Sequence, residues 1–547
     1  MAVRSDFPVV IAEERQFPLV LTGVVLGAIL VVAATTMLLC GGRLVYALDD
    51  PYISLALGWH IGHGHYGINT VEAASPSSSI LYPFVLAVFA WTPLQEWAPL
   101  LINSAAAAGT AALFATMCVR YSIGSRREER LRTIFLISVV CFSTNIVGLV
   151  FTGLEHSLHT LTSVAVLYGL ARTLEDDEVP HWLLPVLILN PLLRFEGAAL
   201  TCLTLLALAI SGHIRAAVIG FALSAAAVGA YMLSMVSLGL PLLPSSVLVK
   251  TVALAPNDVG LLHLLRVIQH AIDGAWHYGA RGIALWLLLA LVFLHPFLRA
   301  RGLLRPNADR PLRWERELIL VVVVAGAVVA HALFGGWGWW YRYEIYAVAV
   351  TLTAVIVLWH AQIGSFVHLA STRRVGLAGL AILALNPFYI RGTLMTPLAA
   401  RSIYEQQFQM HRFAVEFYRR PVAVNDLGWV SYRNPQYVLD VWGLGSEAAR
   451  KARLVTHAPG WLDGLTRTHD VGLAMIYSSW FAADIPANWR RVGQLRSAHA
   501  HVTSAADEVT VYATSGAAEH DALEALHRFA SQTPPSVAQV TFDSASQ

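Results

Sequence analysis

Long apolar runs separated by short polar stretches make up the chain as far as residue 390, where the pattern changes. The runs fall at 17–40, 99–119, 133–151, 154–174, 182–193, 197–211, 216–240, 283–298, 318–334, 345–364 and 375–390. Most approach the ~20 residues a helix needs to cross a hydrocarbon core of about 30 Å, and together they predict about 11 transmembrane helices. The two around Pro191 and Gly197 are short and fit half-buried segments. A further apolar piece at 79–91, with Pro83 and Pro93 at its ends, reaches only about 20 Å as a helix and predicts an interfacial segment. Beyond Arg391 the stretch RSIYEQQFQMHRFAVEFYRR keeps helical spacing, while VAVNDLGWVSY, QYVLDVWGLG, VGLAMIYSSWF and DEVTVYATS predict short strands followed by turns. The last dozen residues predict a frayed end. The expected fold is a polytopic α-helical membrane protein, residues 1–390, with a soluble α/β domain at 391–547.

Composition agrees with that class: 56% of residues are hydrophobic and 13% charged, too apolar for one soluble core. A net charge of +2 offers no basic surface for nucleic acid. What matters is where the charges fall. Arg120, Arg126, Arg127, Arg130 and Arg132 crowd one loop, RARGLLRPNADRPLRWER another, and Arg373 and Arg374 a third. The positive-inside rule puts these three in the cytoplasm, the N-terminus with them, and both the 41–98 loop and the C-terminal domain on the outer face. The 17–40 run lacks a cleavage motif and predicts a retained first helix. Cys40, Cys118, Cys141 and Cys202 lie in or beside apolar runs, so no disulfide framework is expected.

On that topology the outer face collects Asp49, Asp50, Glu72, Glu155, His156, Arg194, Glu196, Lys250, Tyr341, Arg342, Tyr343 and Glu344, each at the lip of a span. Ionisable groups at a membrane face are generally there for chemistry. A carboxylate can take the proton of an acceptor hydroxyl while Lys or Arg neutralises a departing phosphate.

In order, DDPYIS after the first helix, Gly64-His65 and Glu72, then TGLEH, RFEG, LLPSSVLVK and WWYRYE resemble the GT-C glycosyltransferases that use polyprenyl-phosphate sugars. The resemblance is nearest to the terminal arabinofuranosyltransferases of bacterial cell-wall assembly, and it extends to about Ser446. It implies Asp49 or Asp50 as the catalytic base of an inverting displacement, and Lys250, Arg342 and Arg194 beside the donor phosphate. Tyr52, His65, Glu72, Glu155, His156, Glu196, Tyr341 and Tyr343 are then the substrate contacts. The implied partners are a polyprenyl-phosphate sugar, with arabinofuranose the candidate sugar, membrane lipid, and a glycan, lipid or protein acceptor; the implied setting is a bacterial inner membrane. Two positions differ from the family: Phe195 stands where proline is common, and Pro244 is not followed by Asn.

Each signal also has a plainer explanation. Asp49 and Asp50 ahead of Pro51 make a good helix start. As hard oxygen ligands the same pair is the candidate site for Mg²⁺ or Mn²⁺, ahead of His60, His63 and His65, whose glycine-rich setting suits a turn. Lys250 and Arg342 are also placed as interfacial anchors, Glu155 and His156 as a helix cap, and Arg194 with Glu196 as a self-contained pair. The rival functions are a lipid-linked glycan flippase or transporter, against which stands the lack of internal duplication, and a glycan polymerase or ligase.

Overall fold

The computed structural model describes residues 7–250, 261–277, 283–304 and 312–543. Six described helices are long and apolar enough to cross a membrane: Gln16–Leu39, Ala98–Arg120, Ile214–Ser237, Ile283–Ala300, Trp314–Phe334 and Ile345–Leu369. A seventh span arises if Thr372–Ala384 is counted with the segment beginning at Pro387, from which it is bent by 77°. This makes the chain an integral membrane protein.

The other predicted spans take different forms, for physical reasons. The 133–151 run is split into Arg127–Ser143 and Ile146–Val150 by Asn145, whose φ of 60° places it in the left-handed region. Asn tolerates that conformation because its short amide bonds locally. Here Nδ2 donates to the Tyr341 carbonyl (3.2 Å) and Oδ1 accepts from the Thr393 hydroxyl (2.9 Å), so the break is stitched to two distant segments. His156–Asp176 is long but more polar, and most of it is buried among its neighbours. Leu183–Leu193 and Gly197–Ile210 are short apolar helices joined by the RFEG turn. Asn190 fastens that turn, accepting from the Thr162 and Ser163 hydroxyls (3.0 and 3.1 Å).

The Ala98–Arg120 and His156–Asp176 helices end together in a charged knot: Arg120 binds Glu175 and Asp176 at 2.8 Å, and Arg316 binds Asp177 at 2.7 Å. The knot lies at the end of the bundle opposite His156. Cys40, Cys118 and Cys141 are buried and free, whereas Cys202 is free on the outside of the bundle.

The Pro387–Glu405 helix runs through the composition change at Arg391 and, past a bend at Gln406, leads into the C-terminal domain. Its mixed sheet consists of β1 (Val422–Val424), β2 (Val438–Asp440), β3 (Leu473–Ile476), β4 (Arg490–Ser497), β5 (Glu508–Ala513) and β6 (Ala538–Phe542), in the order β2-β1-β3-β5-β4-β6. β1 is parallel to both neighbours, and the remaining pairings are antiparallel. The Gly516–Gln532 helix, capped by Ser515, packs its Phe529 against Phe413 and Phe417. The frayed end expected for the last dozen residues is corrected as far as residue 543, where β6 pairs with β4 and supplies the backbone partners that the arginine-rich β4 needs; residues 544–547 lie outside the described residues.

The first loop and this domain share a seam. Asn69 donates to and accepts from the backbone of Val438 (3.0 and 2.9 Å), closing the free edge of β2 as another strand would. Tyr52 stacks on Trp429, with centroids 3.9 Å apart.

Candidate active site

A small cavity opens where the Asp50–Gly62 helix, the TGLEH turn, the RFEG turn and the WWYRYE turn meet, with Leu444 of the C-terminal domain also lining it. Asp50, Glu155, His156, Arg194, Arg342 and Tyr343 all line it. Pro51 fixes the start of the Asp50–Gly62 helix and puts Asp50 at its first position. On the far wall Trp339, Trp340 and Tyr341 have φ values of 35°, 62° and 52°. Three left-handed non-glycine residues in a row are costly and persist only where surrounding contacts hold them. Here Glu344 accepts the Gly338 amide (3.2 Å) and Asn145 holds the Tyr341 carbonyl, so the turn delivers Arg342 and Tyr343 to the cavity.

Arg342 is 2% exposed, and its Nη2 donates to Asp50 (2.6 Å) and to the Tyr343 hydroxyl (2.8 Å). Its Nε and Nη1 are buried with no hydrogen-bond partner among the described residues. Arg194 is engaged on both terminal nitrogens: Nη1 reaches Glu155 (2.7 Å) and His156 Nε2 (3.1 Å), and Nη2 reaches Glu196 (2.6 Å). Both guanidiniums lie against the Tyr343 ring, at 4.8 Å for Arg342 and 5.4 Å for Arg194. Glu155 precedes its helix without capping it, since its carboxylate is turned to Arg194.

Asp49 is turned away from the cavity that Asp50 lines. It makes no side-chain cap; its two oxygens accept the Gly428 and Trp429 amides at 2.7 and 2.9 Å. Burial, with Asp426 and Asp50 close by, pushes the Asp49 carboxyl well above the usual carboxylate range, against the pull of the two amides. Burial also raises Asp426, which is held by Gln407 (2.9 Å) and the Tyr477 hydroxyl (3.0 Å).

Other candidates lie elsewhere. Tyr52 is buried in the seam against Trp429 and Glu72 accepts the Tyr437 hydroxyl (2.8 Å), so these two join loop to domain, while His65 bonds the Glu72 carbonyl (2.9 Å) within the loop. The Tyr341 ring packs against Tyr389 and Phe388. Lys250 ends the Ser245–Lys250 helix, and its side chain lies outside the described residues. Ser54, Ser77, Ser78 and Leu444 line the cavity although nothing in their sequence marks them beyond a serine run between prolines.

Among the described residues no group of three or more His, Cys, Asp or Glu side chains is placed to hold a metal. Asp49 accepts two backbone amides and Asp50 accepts from Arg342. His63 sits between Trp59 and Trp91 while His65 faces Glu72.

Fold and site together define an integral membrane protein in which helix ends and a small α/β domain enclose a carboxylate–guanidinium cavity. Residues 400–512 match a family model described as "Domain of unknown function (DUF8728)". A solved structure, the oligosaccharyltransferase of Archaeoglobus fulgidus in the apo form, is similar over 90% of this chain and 74% of that one, at 12% identity and a TM-score of 0.34. No curated protein matches.

Proposed function

We propose that the protein is a glycosyltransferase that moves a sugar from a polyprenyl-phosphate donor to a glycan, lipid or protein acceptor on the outer face of a bacterial inner membrane. One observation carries this: Arg342 is buried beside Asp50 with two guanidinium nitrogens unpartnered, and a buried cation with open donors is costly until an anion fills them. Phosphate oxygens can accept from these two nitrogens, which lie on different edges of the guanidinium and so make separate charge-assisted contacts. Asp50 is the base. Its carboxylate takes the proton of the acceptor hydroxyl as that oxygen attacks the anomeric carbon. The bond from anomeric carbon to phosphate oxygen breaks, and the lipid phosphate departs with its negative charge against Arg342. A single displacement inverts the anomeric centre. Arg194, saturated by Glu155 and Glu196, shapes the wall without meeting the phosphate. Arg120 and Arg316 at the opposite end of the bundle support a cavity facing outward and an N-terminus facing the cytoplasm. Arabinofuranose is the first sugar to test.

The test is transfer of labelled sugar from synthetic polyprenyl-phosphate arabinose, then mannose, by purified protein in detergent, with and without EDTA. Consumption of donor with release of polyprenyl phosphate supports the proposal. No consumption of either donor with glycan, lipid and peptide acceptors would count against it, and movement of intact lipid-linked sugar between leaflets would favour the transporter.

A further inference from the structure

We propose that Asp49 is a positioning residue: the Gly428 and Trp429 amides of the C-terminal domain latch its carboxylate and thereby fix where the neighbouring Asp50 carboxylate stands, making the domain part of the transferase site. This rests on the transferase proposal above.

The geometry is specific. Asp49 gives one oxygen to each of two successive amides, a bidentate grip across 380 residues of sequence. A Cβ built on Gly428 meets the Asp49 carbonyl oxygen at 2.1 Å and its Oδ2 at 2.6 Å, so only glycine admits the loop this closely. Beside the grip, Tyr52 stacks on Trp429 and its hydroxyl accepts the Tyr46 amide (3.0 Å), which locks the first turn of the Asp50–Gly62 helix. Asp50 is attached directly to this latch and is aimed at Arg342 instead.

The domain's side of the contact is equally defined. Residues 425–428 leave the carboxyl end of β1, between two parallel neighbours, where the chain turns first to β2 on one side and later to β3 on the other. In open α/β sheets that crevice is where ligands bind. Here it receives the Asp49 side chain. Gln407 and Tyr477 brace Asp426 two residues before Gly428, and Gln407 lies just beyond the bend that ends the Pro387–Glu405 helix. The latch therefore connects the membrane bundle, the sheet and the reacting carboxylate.

Gly428→Ala, Asp49→Asn and the double variant, each in the full-length protein, test this in two assays. Misplacing a reacting group by about 1 Å costs on the order of 100-fold in rate. Each single variant should therefore lose about that much kcat while donor KM moves less than ~3-fold, and the double should be no worse than the poorer single, because both break one contact. Asp49→Asn keeps one acceptor oxygen and should retain more activity than Gly428→Ala. Amide hydrogen exchange at residues 48–55 should quicken in Gly428→Ala whether or not the protein turns over, so the latch is judged apart from the transferase proposal, which stands or falls on wild-type turnover. Unchanged exchange would overturn the latch. So would wild-type kcat in Gly428→Ala beside complete loss in Asp49→Asn, which would make Asp49 the base.

Discussion

Two arginines share one cavity and one tyrosine ring, yet they are built differently. Arg194 spends both terminal nitrogens on Glu155, Glu196 and His156, whereas Arg342 spends a single nitrogen on Asp50 and Tyr343 and leaves Nε and Nη1 unpartnered. Both are almost wholly buried, at 6% and 2% exposure. Burial costs each several kcal/mol of desolvation; Arg194 meets it with two carboxylates and His156, Arg342 with Asp50 and Tyr343 while two nitrogens stay open. A satisfied buried charge holds a structure together. An unsatisfied one marks where a ligand supplies the missing partner.

That contrast can be broken by substitution. The largest effect should be that of Asp50→Asn, which removes the proposed base and should lower kcat by ~10²–10⁴-fold while donor still binds; a steady-state assay beside a donor-binding titration measures both. Next, Arg194→Met strands Glu155 and Glu196 and should destabilise the fold by about 3–5 kcal/mol, read as a lower apparent unfolding temperature in detergent. Arg342→Met should cost less stability, because its one carboxylate partner, Asp50, is 29% exposed and open to water. Arg342→Lys keeps the charge but replaces the guanidinium's separate donors with a single ammonium, and donor KM should rise ~10–100-fold with the unfolding temperature little changed, in line with the ~1.5–3 kcal/mol of a charged hydrogen bond. If Arg194→Met raised donor KM and left stability alone, the two roles would be reversed. The smallest expected effect is that of Asn69→Ala, which leaves the Val438 amide and carbonyl unpaired at the seam and should cost about 1–3 kcal/mol without altering the ratio of the two arginine phenotypes.

How far these features can be read from sequence depends on their range. DDPYIS, TGLEH, RFEG and WWYRYE are local and charged, they stand at the ends of apolar runs, and helix ends of one bundle gather at a common surface; the structure sets all four around the cavity. Asp49 and Asp50 could not be told apart in that way. Adjacent residues at a helix start point in different directions, and which one meets Gly428 is decided by a contact across nearly 380 residues. The same holds for Glu72 and Tyr52: in sequence they are polar or aromatic groups after a catalytic-looking pair, and in space they bind the domain, with His65 holding the Glu72 carbonyl. β4 and β6 escaped because arginines break the alternation of the first and β6 presents a mostly exposed face at the sheet edge. The split at Asn145 is invisible to hydropathy, since one left-handed residue barely alters the apolar run.

The central claim is that Asp50 is the base and Arg342 the phosphate ligand of one transferase site. The most direct measurement is a paired titration and turnover assay of wild type, Asp50→Asn and Arg342→Lys with polyprenyl-phosphate arabinose and, in parallel, mannose. The expected result is that Asp50→Asn binds donor as wild type does but transfers ~10²–10⁴-fold more slowly, while Arg342→Lys transfers at reduced donor affinity. Transfer at the wild-type rate by Asp50→Asn, or unchanged donor binding in Arg342→Lys, would contradict it.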